Sequence, residues 1–450
     1  MTETPAPLLF FTSRSAFERQ VECQRKRYLG NHWGPRGYGL QPSRQSIPLA
    51  TGQRTHEIFQ PVLQYCVEHD QLPPAELIGR VCVEAVENYQ AAVADKGLSY
   101  WGTDSDLQRL VTEQENLIAG LPMLWFLHRL PVLLQDWRIV LAEPREVSVY
   151  ACTCGLGDGI PPWQVHVERG CEGIGLMTGP DFIAQHRYSG SYRYDEFKTR
   201  SAQLTDAWAE SYETRVQVQL GTLGIEQKLG IQVDQVYLHG LWKGQRRQST
   251  AIGGEYQDSV LCWPWCKKGS PPLSDDEWAY AYEWWDEQEN RSRRLGKGFE
   301  RRWVGEYPGG LPAFIQTLPD HIVAKIVRTV GPLQRNPVAK ADALDGWIEQ
   351  EIRNRSNLYE IYAALETNRF DWTAPQVRKL LNRHFPQSWD CQKYGARYAC
   401  EFKPICHHSP GWQDPYSIGF VDRRPHHQAE LDQAVARGLA PADDVWEGDE

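Results

Sequence analysis

Apolar residues recur at helical spacing in several long stretches of this chain, and a few short stretches carry the β-favouring residues and turn signals of strands. Ser13 or Ser15 can cap a helix through AFERQVECQRKRYLG, with Phe17, Val21, Cys23 and Tyr28 facing inward and Arg25 to Arg27 turned partly outward. A loop rich in Gly, Pro and Arg follows to Pro48. Ile58, Leu63 and Tyr65 then mark another helix in LATGQRTHEIFQPVLQYC. Helical periodicity returns around Ala75 to Ala94 and Asp104 to Leu134, in a subdomain that either flanks a channel or packs on the core. Trp137 to Tyr150 reads as a strand interrupted at Pro144, and Val233 to Gly244 as a later one. A helix over TDAWAESYETRVQVQLGTLGIEQKLG precedes that later strand, and helices are expected again at Asp320 to Arg328, Ala339 to Tyr362 and Ala374 to His384.

The most informative stretch runs from Gly175 to Arg200. Ser189, Gly190 and Ser191 are turn formers between Asp181 to Tyr188 and Tyr192 to Thr199, which predicts an antiparallel hairpin. Folding back near Gly190 returns Asp181 close to Glu196 and Lys198, while alternation sends Phe197 to the opposite face, into core. Two carboxylates and an ammonium then converge. A divalent metal held by oxygen ligands, Mg²⁺ or Mn²⁺, relieves that charge, polarises a phosphodiester and acidifies a bound water, with Lys198 orienting the water. The bland reading is a surface hairpin on which the same charges are simply solvated.

Composition narrows the classes. With 450 residues and 41% hydrophobic positions, the chain can bury a sizeable core in one elaborated domain or in two or three ordinary ones. Its 48 Lys and Arg against 58 Asp and Glu give a net charge of −10, which excludes a protein that coats nucleic acid by bulk charge. Basic residues are concentrated between Arg14 and Arg54, so Arg25, Lys26 and Arg27 are candidate DNA contacts. A second basic run, from Arg291 to Arg302, is either another phosphate-contacting surface or a solvated helix end. The 18 Trp and 20 Tyr allow base stacking, although most aromatics go to core. Without a long apolar run or a signal peptide, the expectation is a cytoplasmic protein with no membrane span.

Gly179-Pro180-Asp181 followed by Glu196-Phe197-Lys198 resembles the PD-(D/E)XK nuclease superfamily, in particular its RecB-like branch. The resemblance implies an α/β fold with a restriction-endonuclease-like core, a mixed central sheet flanked by helices, with helical insertions and a metal-stapled C-terminal region. It implies metal-dependent DNA cleavage of exonuclease type, in repair, recombination or mobile-element processing, with protein partners of such a pathway. Asp181 and Glu196 become metal ligands, and Lys198 assists the water. In this branch a Gly-rich turn followed by His opens a helix near the metal; Gly52 to His56 matches it, making His56 a ligand or a structural histidine. An acidic residue on the preceding strand points to Glu143, as metal ligand or exposed carboxylate. A Gln on the helix after the Lys strand points to Gln219, as a catalytic contact or a helix-surface residue; Gly221 and Thr222 stand where the branch carries Tyr.

Cys391, Cys400 and Cys406, three of 11 cysteines, lie close together in a chain without an export signal, which favours metal over disulfides. Relatives with a 4Fe-4S cluster take one further thiolate from the N-terminal helix, and the resemblance assigns that role to Cys23. Zinc remains the alternative, with His407 and His408 adjacent. Cys152, Cys154, Cys262 and Cys266 are either a second site or packed thiols. The expected organisation is 1–60 N-terminal helix and Gly/His motif, 61–136 helical insertion, 137–270 core, 271–320 aromatic and charged insertion, 321–430 helical and Cys-rich closing part, and 431–450 acidic tail. The competing functional classes are a non-catalytic DNA-binding or scaffold protein on the same fold, and a zinc-stapled interaction module.

Overall fold

The computed structural model describes residues 9–13, 19–33, 39–43, 47–96, 104–143, 146–152, 173–200, 204–212, 229–243, 310–316, 320–333, 337–388 and 400–423, apart from Val21, with short pieces between 221 and 300. Strand β1 (Leu9–Ser13) precedes α1 (Gln24–Asn31) and the short β2 (Leu40–Pro42). The expected first helix is interrupted: Arg19, Gln20 and Glu22 are helical, Cys23 is extended (φ −165°, ψ 119°), and α1 starts after it with Cys23 as its N-cap. Three long helices follow: α2 (Ile47–His69), α3 (Ala75–Lys96) and α4 (Asp104–His128). Then come β3 (Trp137–Ala142), β4 (Glu146–Cys152), β5 (Gly173–Thr178), β6 (Phe182–His186), β7 (Tyr192–Arg200) and β8 (Val233–Trp242). The C-terminal part adds α5 (Asp320–Ile326), β9 (Val327–Val330), α6 (Pro337–Thr367), α7 (Pro375–His384) and β10 (Phe420–Asp422).

The fold is mixed α/β, built on a five-stranded sheet in the order β9-β8-β7-β6-β3. The β6–β7 hairpin is antiparallel, pairing Phe182 with Asp195 and Gln185 with Tyr192; β7 and β8 run parallel; β3 and β9 are antiparallel edges. A second sheet, β1-β5-β4, takes the part of the expected strand beyond its interruption at Pro144, so Trp137 to Tyr150 is two strands in two sheets. The expected helix from Asp320 to Arg328 also divides. Its last residues form β9, because Val327 to Val330 find partners in Leu238 to Leu241.

Helices α2 and α4 cover one face of the sheet. Trp125 and Phe59 are fully buried against Phe197, with ring centroids 5.0 Å and 3.7 Å away. The 75–134 stretch therefore packs on the core. One hydrophobic cluster includes Tyr89, Leu121, Trp125, Phe182 and Leu238. The segment Gln114–Asp136 is, by length and composition alone, apolar enough to cross a membrane (mean hydropathy 1.6), and 56% of that window is buried inside the protein.

A second core joins the chain's two ends. Tyr28, Leu29 and Leu40 pack with Leu358, Ile361, Val377, Phe385, Phe402 and Phe420, and β2 pairs with β10. Arg27 is buried at this junction, its guanidinium gripping Glu351 through Nη1–Oε1 at 2.5 Å and Nη2–Oε2 at 2.6 Å. Such a fork-to-fork pair satisfies both partners where water cannot.

Candidate active site

The hairpin positions the site. Gly190 adopts φ +73°, a left-handed conformation in which a side chain is costly, and its N–H donates to the His186 carbonyl at 3.0 Å. From that turn the paired strands return to Phe182 opposite Asp195, and Asp181 stands just beyond the last pair. Proline at 180 has no N–H to continue the ladder. The Asp181 carboxylate acts as a strand acceptor in place of a carbonyl: Oδ2 accepts the Phe197 N–H, and the Asp181 N–H donates to the Asp195 carbonyl at 3.1 Å. The acid is thereby fixed to the backbone between Glu196 and Lys198.

Each acid meets a cation. His56 Nδ1 lies 3.2 Å from Asp181 Oδ1, and Lys198 Nζ lies 2.5 Å from Glu196 Oε1. Tyr194 donates its hydroxyl to the other Glu196 oxygen at 3.2 Å. Burial opposes the charged forms of both Asp181 and His56, yet attraction between them dominates. The Asp181 carboxyl stays below its ordinary range, helped by the charges of His56 and Lys198 and by the Phe197 N–H, while the His56 imidazole is raised above its ordinary value by the charge and hydrogen bond of Asp181. Exposure grades across the group: the side chains of Glu196, Asp181, Lys198 and His56 are 4%, 13%, 19% and 30% exposed. The acids lie inward and the cations toward water.

His56 reaches Asp181 from a helix rather than from its start. Gly52 lies within α2, where the expected Gly-rich turn is absent, and a Cβ there would stand 3.0 Å from Thr199 Oγ1. Glycine at this position lets the helix approach β7, which carries His56 to the hairpin. Gly240, paired with Lys198, has a similar role: a Cβ would be 2.7 Å from Leu204.

Glu143 follows β3 in a left-handed conformation (φ 38°), and its N–H donates to the Asp181 carbonyl at 2.7 Å. Its backbone thus flanks Asp181. Gln219 lies outside the described residues. Arg27 does not face solvent as a DNA contact, being the buried partner of Glu351; Arg25, 8% exposed, donates through Nε to the Phe385 carbonyl and through Nη2 to Asn382 Oδ1, both at 2.8 Å. Lys26 pairs with Glu22 at 2.7 Å.

Of the cysteine set, Cys23, Cys400 and Cys406 lie in the second core region outside any disulfide, and Cys391 lies outside the described residues. The Ser388 N–H donates to Cys23 Sγ at 3.4 Å, so the N-terminal thiol touches the chain just ahead of Cys391. Side chains of Cys152, Cys154, Cys262 and Cys266 are outside the description. Among the described residues, no three His, Cys, Asp or Glu side chains form a ready metal-binding group.

Sequence reasoning missed a buried network on the opposite face of β7. Asp195 Oδ1 lies 2.8 Å from His239 Nε2, and Arg193 Nε donates to Asp195 Oδ2 at 2.8 Å. Trp125 Nε1 lies 3.1 Å from His239 Nδ1. An indole N–H only donates, so Nδ1 accepts and the imidazole proton sits on Nε2, facing Asp195. Burial lowers the His239 pKa, which keeps this ring neutral. Arg200 was missed as well; its Nη1 is buried without a hydrogen-bond partner among the described residues, two positions after Lys198 on β7. Alternating strand acids and a histidine in the next strand were the available signals, but they look like any buried β pattern.

No protein-family model matches the chain, and the search of curated proteins finds no match.

Proposed function

We propose that this chain is a metal-dependent DNA nuclease of the PD-(D/E)XK superfamily, RecB-like branch, with a restriction-endonuclease-like core. The observation that carries this reading is the Phe197 N–H holding the Asp181 carboxylate beside the Glu196–Lys198 pair. Two buried carboxylates and an imidazole offer hard donors suited to Mg²⁺ or Mn²⁺. Asp181 and Glu196 would hold the ion, with His56 and Glu143 as further ligands, and the bound ion supplies Lewis acidity toward a phosphodiester oxygen and a more acidic water. The ammonium of Lys198, released from Glu196, donates a hydrogen bond to the attacking water or to the phosphoryl oxygen that gains charge. His56, a cation when paired with Asp181, adds positive charge where a phosphate arrives.

Cys23, Cys400 and Cys406, together with Cys391, would bind a 4Fe-4S cluster, or zinc in its place. What supports this is the second core, which already brings the N-terminal helix to the C-terminal segment, with Arg25 within electrostatic range of Cys23 and Cys406. A thiolate centre there would tie the ends of the domain together and couple metal binding to folding.

A second reading, a non-catalytic DNA-binding or scaffold protein, draws on the same contacts: every oxygen of Asp181 and Glu196 already has a protein partner. Cleavage of end-labelled single-stranded and double-stranded DNA by anaerobically purified protein, with Mg²⁺, Mn²⁺ or EDTA, decides between them. Metal-dependent products are expected, lost in Asp181→Ala and reduced about 10²–10³-fold in Lys198→Ala. Undiminished cleavage by either variant overturns the assignment, and no cleavage by the wild type favours the second reading. A brown preparation that loses its colour in Cys23→Ala identifies the cluster; a colourless one containing zinc selects the alternative.

A further inference from the structure

A groove of about 330 Å³ opens in the C-terminal part of the molecule, between α7 and the chain around residue 412. Its volume is at the lower end of small-ligand pockets, roughly 300–1,000 Å³. Arg25, Arg378 and His408 line it together with the indoles of Trp372 and Trp412 and with Cys406, and among the described residues no Asp or Glu lines it. In a chain of net charge −10, an acid-free basic concavity is unusual.

The basic groups are held but not neutralised. The Arg378 guanidinium lies 5.3 Å from the Trp412 ring centroid, and its Nη2 is 3.5 Å from His408 Nε2; no carboxylate contacts it among the described residues. Arg25 is anchored by Phe385 and Asn382 through Nε and Nη2, which aims the guanidinium at the groove. The aromatic wall is rigid. Trp372 meets Trp412 edge to face at 5.3 Å and Trp33 at 6.1 Å, and its Nε1 donates to the Gln413 carbonyl at 3.0 Å; His408 stacks on Trp412 at 4.1 Å. Fixed guanidinium donors beside flat apolar rings match the two parts of a nucleotide, phosphate and base.

We propose that this groove binds one nucleotide of a single DNA strand, its phosphate on Arg25 and Arg378 and its base against the tryptophan wall. A paired base has both faces stacked in the duplex and cannot present one to the indoles, so the groove selects single-stranded DNA. The choice of DNA rests on the nuclease reading; the surface itself is separate from the Asp181 site.

The test measures binding apart from cleavage. Fluorescence anisotropy of a labelled oligothymidylate is followed in EDTA with full-length Asp181→Asn as the parent. Trp412→Ala on that background should weaken binding about tenfold with the salt dependence unchanged. Arg378→Ala should weaken it and flatten the slope of log affinity against log salt by about 0.7, the single-strand value for one phosphate contact. Arg378 is a partly exposed residue, so its removal keeps the test valid should Trp412→Ala melt at a lower temperature. Parent-like affinity in Arg378→Ala, an equal loss for a blunt duplex, or no single-strand binding by the parent overturns the proposal. Groove-dependent binding by a wild-type chain that cleaves nothing in Mg²⁺ or Mn²⁺ would overturn the nuclease reading and leave the groove standing; cleavage with no role for Arg378 in binding would do the reverse.

Discussion

Strand β7 carries acids on both faces. On one, Asp195 is fully buried, with Arg193 and His239 on its oxygens and Trp125 fixing the far side of the imidazole. On the other, Glu196 meets Lys198 and Tyr194, and nearby Asp181 meets His56. The first set is sealed: its cation lies against the Tyr237 ring at 3.7 Å and cannot leave without burying an unpaired charge. The second set is graded toward water, so its cations can be exchanged for another positive group. Two acids one residue apart thus differ in role because of what closes over them.

The strongest way to break this comparison is Asp195→Ala, which strands Arg193 and removes the acceptor for His239. A loss of about 3–5 kcal/mol in urea unfolding is expected. Glu196→Gln should cost far less, since Lys198 can turn to solvent; an equal loss for both would erase the distinction. Trp125→Phe sharpens the picture at the next level. It keeps the ring packing on Phe197 and removes the donor to His239, with an expected cost of about 1–3 kcal/mol. If Thr329, whose Oγ1 is 2.9 Å from the same nitrogen, takes over as donor, the loss will be at the low end and will grow in a Thr329→Val background.

The smallest effect concerns pH. The raised His56 pKa means that its contribution is complete below the ordinary value of 6.5 and is lost as pH rises through the raised value. The lowered Asp181 pKa means that its contribution is present above the ordinary 3.8 and is lost as pH falls through the lowered value. The pair is therefore fully formed between these two ordinary values. His56→Gln should cost about 1 kcal/mol in that window and less at alkaline pH. The same cost at both pH values would show that the contact is not ionic.

Much of the architecture was legible locally. The turn at Ser189 to Ser191, the hairpin strands, the inward Phe197, and the helices around Ala75 to Ala94, Ala339 to Tyr362 and Ala374 to His384 all follow from periodicity and turn chemistry, and Asp181 does return to Glu196 and Lys198. Charges were harder to place. Arg25 and Arg27 look like a solvated basic run, yet both are interior, because their partners Phe385, Asn382 and Glu351 come from the other end of the chain. Val327 and Arg328 read locally as the end of a helix, yet they open β9, because β8 offers an edge to pair with. Asp195 and His239 gave only a weak signal, since Arg193 is two residues from Asp195 but the histidine that completes the network comes from the next strand, 44 positions away.

The sequence by itself determined the elements: backbone preference and side-chain period act over a few residues, and they specified the hairpin, its turn and most long helices. Only the tertiary structure decided which charged groups are buried and which face water. That choice depends on desolvation balanced by partners as far apart as Arg27 and Glu351, 324 positions distant along the chain, and no local pattern contains that balance.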